Sequence, residues 1–217
     1  NMAFEEAGFI NAVVAKIQPK DAEWDAADYD YNVVRWSSEP DGGLLGIGPS
    51  VTNPLTGEII SADIVNKLLA VKLGHNYRKL YGYTEDNDPL MQYITNLTLH
   101  EVGHTLGLRH NFRGSQLYSP TEIHNKEITG NTIMSSVMDY DPINIAPEGV
   151  EQGIFFSTVP GIYDKWAIKF GYTPGLTDED RKEMLLDSIK RELTFGTDEE
   201  AMSVSYTHLT LPTSYAV

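Results

Sequence analysis

The sequence predicts an α+β domain, with short strands early in the chain, one strong helix in the middle and two helices late. Three observations carry this. Runs rich in β-branched and aromatic residues precede residue 66, helical spacing of apolar residues begins at Pro89, and helical spacing returns after residue 160.

The strands come first. Residues 11–17 and 31–37 read as buried strands separated by polar segments with Pro19 and several aspartates. Leu44 to Val65 reads as a hairpin. Asn53-Pro54-Leu55-Thr56-Gly57 is its turn, and Ile60, Ala62 and Ile64 share one face of the second arm. A polar, aromatic connection from Asn66 to Asp88 follows, with at most a short helix at its start. Residues 89–106 form the clearest helix, with Asp88 as N-cap, Pro89 in the first turn and Gly107 as a left-handed terminator. Leu108 to Val137 has no strong periodicity, and so long an irregular stretch marks function or disorder. Helices are expected at about 162–171 and 177–195.

Length and composition narrow the class. The 217 residues suffice for one sizeable domain, and 41% hydrophobic with 22% charged residues is ordinary for a globular protein. A net charge of −15 repels phosphate backbones, so nucleic acid is not an expected partner. With no cysteine, any metal must be held by histidine and carboxylate. No apolar run reaches 18 residues, so no membrane span is expected. The chain opens inside a helical pattern, Met2 to Gly8, and reads as part of a longer protein. From about residue 204, the uncharged run Val204 to Thr213 continues no pattern and resembles a translated sequencing adapter. The expected organisation is therefore one domain over 1–203, truncated at both ends, with 204–217 a non-native tail.

The decisive run is His100-Glu101-Val102-Gly103-His104-Thr105-Leu106-Gly107-Leu108-Arg109-His110. Histidines four apart on a helix project from one face, separated by a rise of roughly 6 Å. Both rings can therefore reach one tetrahedral Zn²⁺ at about 2.0–2.1 Å. Glu101 then points at a water on the metal and does not bind the ion itself. His110 can join only if the chain leaves the helix sharply, and Gly107 permits that turn. Three histidines leave the fourth position open, as in a catalytic site. Chance produces these five identities on the order of a few times in 10⁵ such chains. The alternative is a helix whose histidines are surface or satisfied core groups.

This run resembles that of the metzincin zinc peptidases. The resemblance implies one catalytic Zn²⁺ on His100, His104 and His110, and Met138 as a hydrophobic floor beneath them in Ser136-Val137-Met138-Asp139-Tyr140. That form is similar to the astacin and serralysin branches, which implies that Tyr140 steadies the oxyanion. Leu99 to Ser115, Gly48 to Asp63 and Ser136 to Pro147 further resemble a bacterial family of large metzincin-like proteases, several times longer than this chain. The implied fold is a small, twisted, mainly parallel sheet packed on the active-site helix, with an irregular lower part supported by the late helices. An edge strand over Leu44 to Thr52 would lie antiparallel to an extended polypeptide substrate, with Gly48, Pro49 and Ser50 as binding residues. Gly46 and Gly48 weaken a strand but allow close backbone approach, and a glycine-rich loop of no special use is the alternative. Asp139 or Asp141 is the expected acceptor for a ligand imidazole. His75 and His124 fall outside ligand spacing.

The expected function is zinc-dependent endopeptidase, with Glu101 as general base. Two alternatives remain: a zinc-stabilised binding module without turnover, and a zinc hydrolase of a non-peptide amide. The resemblance implies action outside the cytoplasm.

Overall fold

Ile59–Lys67, the longest strand, is the hub of the sheet in a computed structural model of the protein that describes residues 1–38 and 44–199. A five-residue helix α1 (Met2–Glu6) precedes β1 (Val33–Ser37), β2 (Gly46–Ile47), β3 (Ser50–Thr52) and β4 (Ile59–Lys67). β1 runs parallel to β4, with Val34 opposite Ile64 and Trp36 opposite Asn66. β2 and β3 pair antiparallel with β4 along its other edge. The expected mainly parallel sheet is thus corrected: among the described residues one of three pairings is parallel. The hairpin geometry of residues 44–65 imposes this, because a short turn can return the chain only antiparallel.

That turn forms where Asn53 and Gly57 predict it. Gly57 N–H donates to the Asn53 carbonyl at 2.8 Å, Leu55 N–H donates to the Asn53 side chain at 2.9 Å, and Gly57 adopts φ +76°. The strand expected over 11–17 does not form. Residues 11–17 are exposed and without regular structure. Among the described residues its β-branched side chains meet no neighbouring strand to bury them, and strand propensity acts through such neighbours.

β4 runs directly into α2 (Leu68–Tyr81), a 14-residue helix longer than the polar connection suggested. Gly74 lets α2 press against α3 (Pro89–Thr105), because a Cβ there would overlap the Leu90 side chain. Arg78 of α2 grips the Asp88 carboxylate, which also caps α3 by accepting from Leu90 N–H at 3.0 Å. The turn after α3 closes with Leu108 N–H donating to the Gly103 carbonyl at 2.9 Å and Gly107 at φ +88°. Beyond it the chain is irregular apart from a 3₁₀ turn at Gly114–Gln116 and α4 (Lys126–Thr129). α5 (Ile162–Tyr172) forms as expected, and α6 (Asp178–Asp187) ends earlier than 195, followed by a 3₁₀ turn at Arg191–Leu193. α6 buries none of its residues, so no packing extends it past Ser188. No described helix is long and apolar enough to cross a membrane. The tail set apart from residue 204 lies outside the described residues.

The sheet edge meets α3 at two glycines. A Cβ on Gly46 would stand 2.5 Å from Glu101 Oε1, and one on Gly48 would overlap the Glu101 backbone carbonyl. A backbone carbonyl inside a helix cannot yield as a side-chain tip can. Gly48→Ala is therefore expected to lower unfolding free energy by about 1–3 kcal/mol, read from denaturant titration.

Candidate active site

Helix α3 presents Gln92, Asn96 and His100 at intervals of four, all buried. Gln92 accepts from Phe155 and Phe156 N–H at 2.7 and 3.1 Å, and Asn96 donates to the Ser157 carbonyl at 3.2 Å. These bonds bind the later chain to the helix. The next residues on that surface are His100, Glu101 and His104.

Each histidine is held from behind. Nδ1 of His100 donates to the Val137 carbonyl at 2.7 Å, and Nδ1 of His104 to the Leu108 carbonyl at 3.0 Å. Nδ1 of His110 faces Asp198 Oδ1 at 2.6 Å. With every Nδ1 proton committed outward, the three Nε2 lone pairs face inward. His104 Nε2 stands 3.1 Å from the Nε2 of both His100 and His110. Tetrahedral nitrogens at about 2.0–2.1 Å from one Zn²⁺ would be about 3.3 Å apart. The three imidazoles together could hold one metal ion. The donor set fits zinc: neutral imidazoles with oriented rings, whose Nδ1 protons point away and leave none of their own to bridge the three Nε2 atoms. Burial pushes His100 down to about 4 and lowers His104, so both favour the neutral, ligating form.

The loop bearing Met138 is clamped from α5. Buried Asp164 accepts from Ser136 Oγ at 2.5 Å, Val137 N–H at 2.9 Å and Gly161 N–H at 2.8 Å. Since the Val137 carbonyl receives His100, Asp164 fixes that imidazole through the two backbone groups of one residue. Burial pushes the Asp164 carboxyl up to about 6, against the pull of these three bonds. Met138 is wholly buried, and a Cβ on Gly103 would overlap its Sδ. Methionine thus lies directly under the helix between His100 and His104. Asn111 donates its N–H to the Met138 carbonyl at 3.0 Å, and its side chain bonds Thr194 and Gly196, drawing the end of the described chain toward the histidines.

Glu101 is 5% exposed, and burial raises its carboxyl to about 7. Tyr140 reaches the convergence point, its hydroxyl donating to His110 Nε2 at 2.8 Å. Its phenol is raised first by burial and then by the charges of Glu101 and Asp198. Gly107 makes the bend that brings in His110. Of the edge-strand residues, Gly48 is buried against the Glu101 backbone, while Pro49 and Ser50 are exposed. Leu44, Leu45 and Gly46, not Gly48 to Ser50, border the cleft at the histidines.

Asp198 and Asp164 escape a reading of the sequence. The acceptor behind His110 is Asp198, 88 residues away, and not Asp139 or Asp141. Asp139 instead accepts from Ser115 and Tyr140 N–H, both at 2.8 Å. No local pattern could have pointed to Asp198. Asp164 carries a faint local signal, a carboxylate at the third position of a helix, where it caps Gly161. Arg109 braces Asp198 at 3.1 Å, and the hydrogen bond from His110 first, then that from Arg109, hold the Asp198 carboxyl below the usual range. Asp198→Ala is expected to weaken zinc binding by about 10–100-fold, measured by competition with a chromogenic chelator. Its partly exposed position leaves the fold intact.

A mixed α/β chain with a small sheet, several helices and three convergent imidazoles is a metal-centre protein of the zincin kind. The chain belongs to the Met-zincin family, whose model matches residues 83–210. That match covers α3, the three histidines, Met138 and Tyr140, and ends within the segment set apart from residue 204. No curated protein and no solved structure matches the chain.

Proposed function

We propose that the protein is a zinc-dependent endopeptidase. The observation that carries this reading is the convergence of three Nε2 atoms beside a buried carboxylate that makes no contact with them as a ligand. When bound, Zn²⁺ would lower the pKa of a coordinated water to about 7 and polarise the scissile carbonyl. His100, His104 and His110 hold that ion, and their outward Nδ1 bonds keep the rings in place. Glu101 accepts the proton of the attacking water as its oxygen bonds to the carbonyl carbon. It then delivers that proton to the leaving amine as the C–N bond breaks. A carboxyl near pH 7 in proton affinity suits both halves of this exchange. The Tyr140 hydroxyl, already at the convergence point, turns from His110 to donate to the oxyanion. Met138 supplies a rigid apolar support.

The reading extends to where the protein acts. We place it outside the cytoplasm, as the likeness to metzincin peptidases implies; a chain without cysteine suits either redox compartment.

Metal removal tests the activity. Chelation should abolish cleavage of a mixed peptide pool, and one equivalent of Zn²⁺ should restore it, with mass spectrometry identifying internal cuts. Cleavage that persists after complete zinc removal would overturn the proposal. Zinc-dependent folding with no cleavage of any peptide would favour a binding module.

A further inference from the structure

Next to the histidines opens a cleft of about 470 Å³, bordered by His100, Glu101 and Asp141. Tyr93, Leu97 and Phe156 form its apolar wall, with the Tyr93 and Phe156 rings 5.0 Å apart. A side chain entering here from a peptide held at the histidines would meet aromatic and aliphatic surface together with Asp141.

Among the described residues bordering the cleft there is no lysine or arginine, but there are three carboxylates. They are not equivalent. Asp139 is occupied by two backbone N–H groups, and Glu101 faces the reacting atoms. Asp141 keeps one buried oxygen, Oδ2, without a hydrogen-bond partner. A buried acceptor left unmatched costs roughly 1–3 kcal/mol, more when charged, which turning that carboxyl toward a donor in the cleft would recover. Burial, the leading cause, holds the Asp141 carboxyl up at about 7, and contact with a cation would favour its charged form. The chain's net charge of −15 favours approach of basic peptides in the same sense.

We propose that this cleft is a side-chain subsite for a basic residue flanking the scissile bond, with Asp141 as the specificity-determining carboxylate. Lysine and arginine match both parts of it: their methylene stems cover Leu97 and the rings, and their heads donate to Asp141. The proposal rests on the peptidase reading for turnover, but not for binding.

The test uses peptides varied on both sides of the cleaved bond, in which lysine is compared with norleucine and acetyl-lysine of similar stem. Zinc-loaded wild-type protein should favour lysine by about 10-fold or more in kcat/KM, and Asp141→Asn should reduce that ratio to about 1. The lysine comparisons need no variant, so they hold even if Asp141→Asn folds poorly. In parallel, binding of the same peptides to zinc-loaded Glu101→Gln protein is followed by fluorescence anisotropy, with about 10-fold tighter binding expected for lysine. Equal binding of lysine and norleucine peptides would overturn the subsite. Lysine-selective binding with no cleavage of any peptide by wild-type protein would instead sink the peptidase reading and leave the subsite standing.

Discussion

Glu101→Gln is expected to keep zinc and lose about 10²–10⁴-fold in kcat/KM for peptide hydrolysis. Glutamine has nearly the same volume, so it fits where Gly46 leaves room for the Glu101 carboxylate. It cannot accept the water's proton. None of the bonds that orient the three histidines involves Glu101, since their Nδ1 partners are Val137, Leu108 and Asp198. Metal content should therefore remain at one equivalent by atomic absorption while turnover collapses. Wild-type turnover in the variant would remove Glu101 from the reaction.

His104→Ala should lose both metal and hydrolysis. His104 is the middle imidazole of the three, the ring whose Nε2 lies 3.1 Å from each of the others. Without it, only two imidazoles remain, one on α3 and one on the loop after the bend. Loss of a direct ligand should exceed the about 10–100-fold penalty for an outer partner. A second readout follows from linkage: a ligand that binds only the folded state at about 1,000 times its Kd stabilises by about 4 kcal/mol. Added zinc should raise the melting temperature of wild-type protein and leave that of His104→Ala unmoved. An equal zinc-induced shift in both would place the metal elsewhere.

Much of this site is legible from residues close in sequence. The Asp88-Pro89 start, the four-residue histidine spacing and the Gly107 bend each follow from backbone geometry within a few residues, and α3 occupies Pro89–Thr105 nearly as expected. Periodicity was less useful for which face of α3 is buried. Leu90, Ile94, Leu97, Val102 and Leu106 suggest an apolar stripe, yet Gln92, Asn96 and His100 face the interior, each of the two amides matched to backbone groups of 155–157. A polar residue is buried when a partner awaits it, and the partner lies some sixty residues on. The failed strand at 11–17 teaches the converse, since β-branched residues without a neighbouring strand stay in water. In sequence, Gly74 and its polar neighbours look like a connection, yet they lie in α2, where the glycine lets Leu90 approach.

By itself the sequence determined that three histidines would converge, their order and the carboxylate beside them, because spacing along one helix and one glycine bend are local properties of the backbone. It also set the anionic character of the whole chain. Only the tertiary structure decided what holds the imidazoles in place: Asp198 behind His110, and Asp164 behind Val137, the residue that anchors His100. It alone turned Gly46 and Gly48 into the contact between sheet edge and Glu101, and left Asp141 with an unmatched oxygen beside the cleft. Those relations join residues tens of positions apart, and a hydrogen bond or a close approach between them exists only once the chain has folded.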